Sequence, residues 1–191
     1  MTIHSELDTS ARERLIAALR EHALVIGEVV LTSGRTAQYL VDAKRAILLP
    51  SGFGALSELV AAQAQAWGAT AVGGMTMGAD PIACAALAGG ADVKAFFVRK
   101  ETKAHGLQRK VEGPPLEAGE RCLIVEDVVT TGGSTVQAIE AVRAEGFDVV
   151  GVISVLDRLA GGAANISLAS GDAPYEPLAT IDDVYPDRPG R

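Results

Sequence analysis

The sequence predicts an α/β protein in which helices cover both faces of a central, mostly parallel sheet. Three observations predict it. Between residues 70 and 156, short apolar runs rich in strand-forming residues alternate with segments of helical length. These runs are nearly unbroken, as expected of strands buried on both faces. Hydrophobic residues make up 48% of the chain and aromatics only 4%, so alanine, valine and leucine must build most of the core. The 191 residues contain no repeat, low-complexity segment or interdomain linker, so 1–191 reads as one domain.

The elements follow in order. Ser10-Ala-Arg-Glu13 has capping-box spacing, and Leu15, Ile16 and Leu19 share a helical face, which predicts a first helix ending near His22. Residues 29–31 and 38–41 read as short strands around the turn Ser33-Gly34-Arg35. Pro50 and Ser51 open a second helix that runs to about Trp67. Residues 59–79 carry no charge and touch the length of a membrane span. That run contains Gln63, Gln65 and four glycines, however, and divides into a helix end, a turn and a short strand. Residues 70–73 are a strand, 81–88 a helix and 93–98 a strand. Residues 99–113 are polar and basic, without an apolar period. Residues 122–125 are a strand, 134–144 a helix stopped near Gly146, and 149–156 a strand. Residues 175–181 are expected as an edge strand, and the last 30 residues yield no other element.

The net charge of −7 disfavours non-specific nucleic-acid binding, which depends on neutralising phosphates. Cys84 and Cys122 both lie in apolar surroundings and are expected as buried free thiols, with no metal spacing. The start, MTIHSELDTS, has neither a basic nor an apolar leader region, so the expectation is a cytoplasmic protein with no membrane partner.

Residues 121–137 carry the chemistry. An apolar strand delivers adjacent carboxylates, Glu126 and Asp127. Val128 and Val129 follow, then the turn Thr130-Thr131-Gly132-Gly133-Ser134 and a helix start. Ligands of open α/β sheets bind beyond the carboxyl ends of strands. A helix start offers free N–H groups and the positive end of a dipole, an anion site. Gly132 and Gly133 allow close backbone approach, and Thr130, Thr131, Ser134 and Thr135 add hydroxyl donors. Carboxylates beside such a cradle suit sugar hydroxyls, or a magnesium ion shared with phosphates. The combination specifies a phosphorylated sugar.

A second segment reverses the charge of the chain. Residues 94–110 hold Lys94, Arg99, Lys100, Lys103, Arg109 and Lys110 against one acid, Glu101, which makes an anion funnel. For Lys94, Arg109 and Lys110 a solvated surface reads equally well. Loops of about 12–15 residues without structure of their own are often lids.

The string at 121–137 closely resembles the signature of the type I phosphoribosyltransferases, which bind phosphoribosyl pyrophosphate (PRPP). The string Arg99-Lys100-Glu101-Thr102-Lys103-Ala104-His105-Gly106 is similar to the mobile catalytic loop of the orotate phosphoribosyltransferases. Leu31-Thr-Ser-Gly-Arg35, with Tyr39 and Asp42, looks like that family's N-terminal hood, although many members have lysine where Thr32 stands. Residues 73–81 stand in the place of its pyrophosphate loop, yet carry no lysine, Gly78 being the nearest counterpart. The resemblance spans roughly residues 25–160.

The resemblance implies a type I phosphoribosyltransferase fold, with a hood over about residues 1–45 and a mobile loop over about 99–113. It implies PRPP binding by Arg99, Lys100, Lys103, His105, Glu126, Asp127, Val128, Val129, Thr130, Thr131, Gly132, Gly133 and Ser134. Lys103, Asp127 and His105 would be catalytic, and Thr130 and Arg158 would meet orotate. Mg2+ would be held mainly by PRPP rather than by protein side chains. A homodimer is implied, the loop of one subunit completing the neighbour's site. The expected activity is transfer of ribose 5-phosphate to orotate in pyrimidine biosynthesis. A phosphoribosyltransferase for a purine base and a PRPP-sensing regulator are the alternatives.

Overall fold

The computed structural model describes residues 11–30, 36–101 and 110–189. Ser10, residues 31–35 and residues 102–109, with Thr32, Lys103, His105 and Arg109, lie outside the described residues. Helix α1 spans residues 11–18 and continues as a π-helical turn, Leu19–Ala23. Strand β1 (Leu24–Val30) follows without a loop and pairs antiparallel with β2 (Thr36–Val41). This hairpin is a two-stranded sheet of its own, and β1 is much longer than the expected 29–31 because its ladder with β2 starts at Leu24↔Val41.

A short helix, α2 (Lys44–Ile47), leads into α3 (Pro50–Ala66), which ends where the sequence predicts. The main sheet then forms from β3 (Ala71–Met75), β4 (Lys94–Val98), β5 (Val111–Glu112), β6 (Arg121–Val129), β7 (Asp148–Asp157) and β8 (Tyr175–Thr180), in the order β5-β4-β3-β6-β7-β8. All neighbours are parallel except β4 and β5. Parallel neighbours need crossover connections, and α4 (Asp80–Ala88), α5 (Gly133–Ala144) and α6 (Gly162–Ser170) supply them. A last helical turn, α7 (Ile181–Val184), is closed by a capping box between Thr180 and Asp183.

Both faces of the sheet are covered, as the apolar runs require. Leu123 packs in one core with Leu19, Leu56, Ile82 and Ile153. Its neighbour Ile124 packs in the other with Phe96, Ile139, Val142 and Ile166. The expectation for Cys84 is wrong: Cys122 is buried but Cys84 is exposed. In α4 the positions Ile82, Ala83, Ala85 and Ala86 face inward, and Cys84 falls on the outer side. Burial pushes the Cys122 thiol up to about 12, so it is inert.

Two differences matter for function. Strand β6 runs to Val129, four residues past the expected end, because β7 pairs with it through Glu126↔Ser154 and Val129↔Asp157. Second, β3 leads outward to β4, whereas β6 leads the other way to β7 and β8. The turns after β3 and β6 therefore diverge, which opens a crevice at the carboxyl edge of the sheet.

Candidate active site

The turn after β6 forms one wall of this crevice. Gly132 is the N-cap of α5 with φ 78° and ψ 3°, a left-handed conformation that costs other residues roughly 1–2 kcal/mol. A Cβ there would also lie 2.9 Å from the Gly162 carbonyl oxygen. No side chain caps α5, and no acid stands in its first turn, so its N–H groups are left for an outside anion. Thr131, Gly133 and Ser134 are exposed and Thr130 is half-buried. Thr135 departs from expectation: it is buried, and its hydroxyl donates to Glu126 Oε2 at 3.2 Å. It braces the carboxylate rather than facing the crevice.

The two adjacent acids have different surroundings, as alternation along a strand dictates. Glu126 is buried beneath the start of α5. Burial first, then the charge of Asp127, pushes its carboxyl up to about 8. Asp127 is only half-buried. Its Oδ1 accepts from the Val128 N–H at 2.8 Å, and its Oδ2 accepts from Lys44 Nζ at 2.9 Å. The opposite wall is the β3–α4 turn. A Cβ at Gly78 would lie 2.5 Å from Asp127 Oδ1, so only glycine lets this turn pack against the carboxylate.

Arg158 follows directly on β7, and its N–H donates to the Val129 carbonyl at 2.9 Å, which seats it beside Thr130. Its guanidinium lies 5.4 Å from the centre of the Tyr39 ring, and Tyr39 meets Tyr185 edge-on at 5.5 Å. Arg158 Nε is buried without a partner. The ion pair with Asp157 that would make Arg158 an ordinary surface residue does not form. Asp157 instead accepts from the Leu159 N–H at 2.7 Å and the Tyr175 hydroxyl at 2.9 Å.

The basic segment divides. Arg99 and Lys100 stand at the carboxyl end of β4, on the same edge of the sheet as the crevice. Arg99 is ion-paired with Glu112 at 3.3 Å, and its N–H donates to the Lys110 carbonyl at 2.9 Å, which closes the neck of the loop. Lys103, His105 and Arg109 are outside the described residues. Lys94 leaves the candidate set: it sits at the amino end of β4, paired with Glu120 and donating to the Pro115 carbonyl at 2.9 Å.

The sequence reading missed Lys44, Tyr185 and Gly78's contact with Asp127. For Lys44 a local signal existed. Asp42 stands two residues before it, and Asp42 Oδ1 accepts from both the Lys44 N–H at 3.2 Å and its Nζ at 2.9 Å.

Known proteins are similar to this chain over nearly its whole length. A family model described as a phosphoribosyl transferase domain matches residues 65–169. The orotate phosphoribosyltransferase of Corynebacterium glutamicum is 43% identical over 181 residues, 94% of this chain and 97% of its own. Two crystal structures of the Mycobacterium tuberculosis orotate phosphoribosyltransferase superpose closely. The complex with Fe(III) dicitrate has a TM-score of 0.82 and 39% identity, covering 92% of this chain and 99% of that one. The complex with PRPP has a TM-score of 0.77 and 34% identity, covering 91% and 98%. With the fold and nearly the whole length in common, the chain belongs to the orotate phosphoribosyltransferase family.

Proposed function

We propose that this chain transfers ribose 5-phosphate from PRPP to orotate, giving orotidine 5′-phosphate and pyrophosphate, in de novo pyrimidine biosynthesis. One observation carries the reading: an uncapped helix start, the half-buried carboxylate of Asp127 and a half-buried arginine whose Nε has no partner meet at one crevice. A sugar phosphate needs the first two, and a planar carboxylate on the acceptor base needs the third.

The 5′-phosphate takes the N–H groups and hydroxyls of the turn from Thr130 to Ser134. The ribose hydroxyls donate to Asp127, with Glu126 behind it. The carboxylate of orotate faces Arg158, a pairing that is strong and geometrically selective, with the ring near Thr130. N1 of orotate bonds to C1 of the ribose and gives up its proton, and the C1–O bond breaks with its electron pair leaving on the diphosphate, which takes up that proton. Charge that grows on the leaving group is what catalysis must stabilise. Arg99, Lys100, Lys103 and His105 are the groups proposed for it, Lys103 foremost. Their closure excludes water, which prevents wasteful hydrolysis.

Magnesium keeps several waters and binds through one or two carboxylates plus substrate phosphates. Among the described residues no three His, Cys, Asp or Glu converge into a cage. The half-buried carboxylate of Asp127, at the edge of the sheet, fits an ion carried mainly by PRPP. When bound it supplies further positive charge to the diphosphate. The active form we propose is a cytoplasmic homodimer, the loop of one subunit completing its partner's site. Among the described residues, no helix is long and apolar enough to cross a membrane.

The test is pyrophosphate release from PRPP and magnesium against a panel of bases. Turnover with orotate alone is the expected result. Turnover only with hypoxanthine, guanine or adenine would overturn the assignment of the base, and none with any base would overturn the assignment as an enzyme.

A further inference from the structure

We propose that Lys44 contacts the diphosphate of the substrate and supplies the positive charge that the β3–α4 turn lacks. This rests on the reading of PRPP as substrate.

The problem is one of charge. A diphosphate beside Asp127 places like charges together, which costs free energy unless a cation intervenes. The turn of residues 76–79 is Thr-Met-Gly-Ala and brings none. Yet this turn is pressed on the same carboxylate, since a Cβ at Gly78 would stand 3.0 Å from Asp127 Oδ2. That oxygen is also the one that accepts from Lys44 Nζ, at 2.9 Å. The ammonium and the turn therefore meet on one carboxylate, the turn lying nearer its Oδ1 and the ammonium on its Oδ2. Among the described residues, Lys44 is the one cation ion-paired with Asp127.

The ammonium is also prepared for a further acceptor. It has three donors. Asp42 Oδ1 takes one at 2.9 Å and Asp127 takes another. The Lys44 side chain keeps 40% of its accessible surface, which leaves the ammonium room for a third acceptor. Asp42 binds the Lys44 backbone N–H as well, which fixes the aim of the side chain before any ligand arrives. Partial burial works against the charge, but the hydrogen bonds to Asp127 and Asp42 outweigh it and raise the ammonium above its usual range. Lys44 therefore stays charged throughout the working pH range.

The experiment compares wild type, Lys44→Met and Lys44→Arg in two measurements. The first is calorimetric titration with inorganic pyrophosphate. The second is steady-state kinetics with PRPP and orotate varied separately. Loss of one charged hydrogen bond weakens pyrophosphate binding and raises KM for PRPP by about 10–100-fold in Lys44→Met. KM for orotate stays near the wild-type value, and Lys44→Arg recovers most of the loss. Unchanged pyrophosphate affinity in Lys44→Met overturns the proposal. So does a parallel loss of orotate affinity in both variants, which would mark a scaffold role acting through Asp127. The titration needs no turnover. If wild type binds pyrophosphate through Lys44 but transfers nothing to orotate, the functional reading fails and this inference stands.

Discussion

Strand β6 has a lysine–carboxylate cluster at each end, and the two differ in how far their polar groups are satisfied. At the amino end, Glu120 is buried, bound by Lys94 and the Thr70 hydroxyl, and its carboxyl is held below the usual range by those bonds. Arg121 donates to the Gly68 carbonyl at 2.5 Å, and the Thr70 hydroxyl accepts from the Arg121 N–H at 2.9 Å. At the carboxyl end they are only partly met: Glu126 accepts from the Thr135 hydroxyl and the Asp127 N–H but is pushed up to about 8, Arg158 Nε has no partner, and α5 begins without a cap. A cavity of about 910 Å³ lies at the amino end, lined by Leu59, Gly68, Thr70, Val93 and Arg121. Volume alone would choose the wrong end. Buried polar groups normally find partners, so groups left without them mark where a ligand completes the structure.

The comparison breaks if the carboxyl-end groups prove dispensable. The largest effect is expected from Lys103→Ala, which should lower kcat by about 10²–10³, as for loss of one donor to a developing anion. Unchanged kcat would remove Lys103 from the chemistry. Arg158→Met comes next. Leaving the acceptor carboxylate unpaired should raise KM for orotate by about 10–100-fold, the worth of one charge-assisted hydrogen bond, with KM for PRPP near wild type. An equal rise for both substrates would mean that Arg158 only holds Tyr39 and the hairpin in place. Mixing the two variants tests the dimer: each hybrid has one intact site, so activity returns if the loop acts across subunits. No recovery in a mixture shown to exchange subunits would place loop and crevice in the same chain.

How legible these ends were differs for a physical reason. The stretch from Glu126 to Ser134 could be read because a sugar phosphate demands specific residue types in consecutive order, so the chemistry is local in the chain. Lys44 could not be placed on Asp127, because that contact depends on where β2 and α2 deliver it, 83 residues away in the sequence. The opposite surroundings of Glu126 and Asp127 became readable only once β6 was known to extend past both. Helix α6 was missed because Gly-Ala-Ala-Asn-Ile-Ser-Leu-Ala-Ser has too few large residues for a helical period. It buries Gly162, Ile166 and Ser170 and exposes Leu168. The expected burial of Cys84 failed on a different count: an apolar neighbourhood in sequence does not say which face of a short helix a residue occupies.

The carboxyl end also makes a prediction about pH. Glu126 binds its proton more tightly folded than unfolded, because burial penalises its charge. Its contribution to stability is therefore fully present below its ordinary value, near 4.5, and is lost as pH rises through about 8. Glu126→Gln keeps the hydrogen-bonding shape without the charge. The variant should lose less stability than wild type between pH 5 and 9, by at least about 1 kcal/mol, the worth of roughly one pKa unit. Denaturation midpoints across that range measure it. Parallel curves for the two proteins would mean that Glu126 is charged and paired in the folded state, and the contrast with Glu120 would disappear.

The smallest effect on activity belongs to the amino end, and it is the one that most sharpens the contrast. Lys94 is half-exposed but Glu120 is buried, so Lys94→Met should cost about 1–3 kcal/mol of stability while leaving activity nearly unchanged. Glu120 keeps its bond from Thr70, and no group of the crevice loses a partner. Both KM values and kcat should stay within about twofold of wild type, a change worth under roughly 0.5 kcal/mol in binding or barrier. Lys94 belongs to the same basic stretch of sequence as Arg99 and Lys100 but to the opposite edge of the sheet. If its loss raised KM for PRPP, long-range attraction by the whole stretch would outweigh the local contacts at the crevice. Repeating the assay at high salt separates the two cases, because screening removes attraction between exposed charges more than a Debye length apart and leaves direct contacts largely intact.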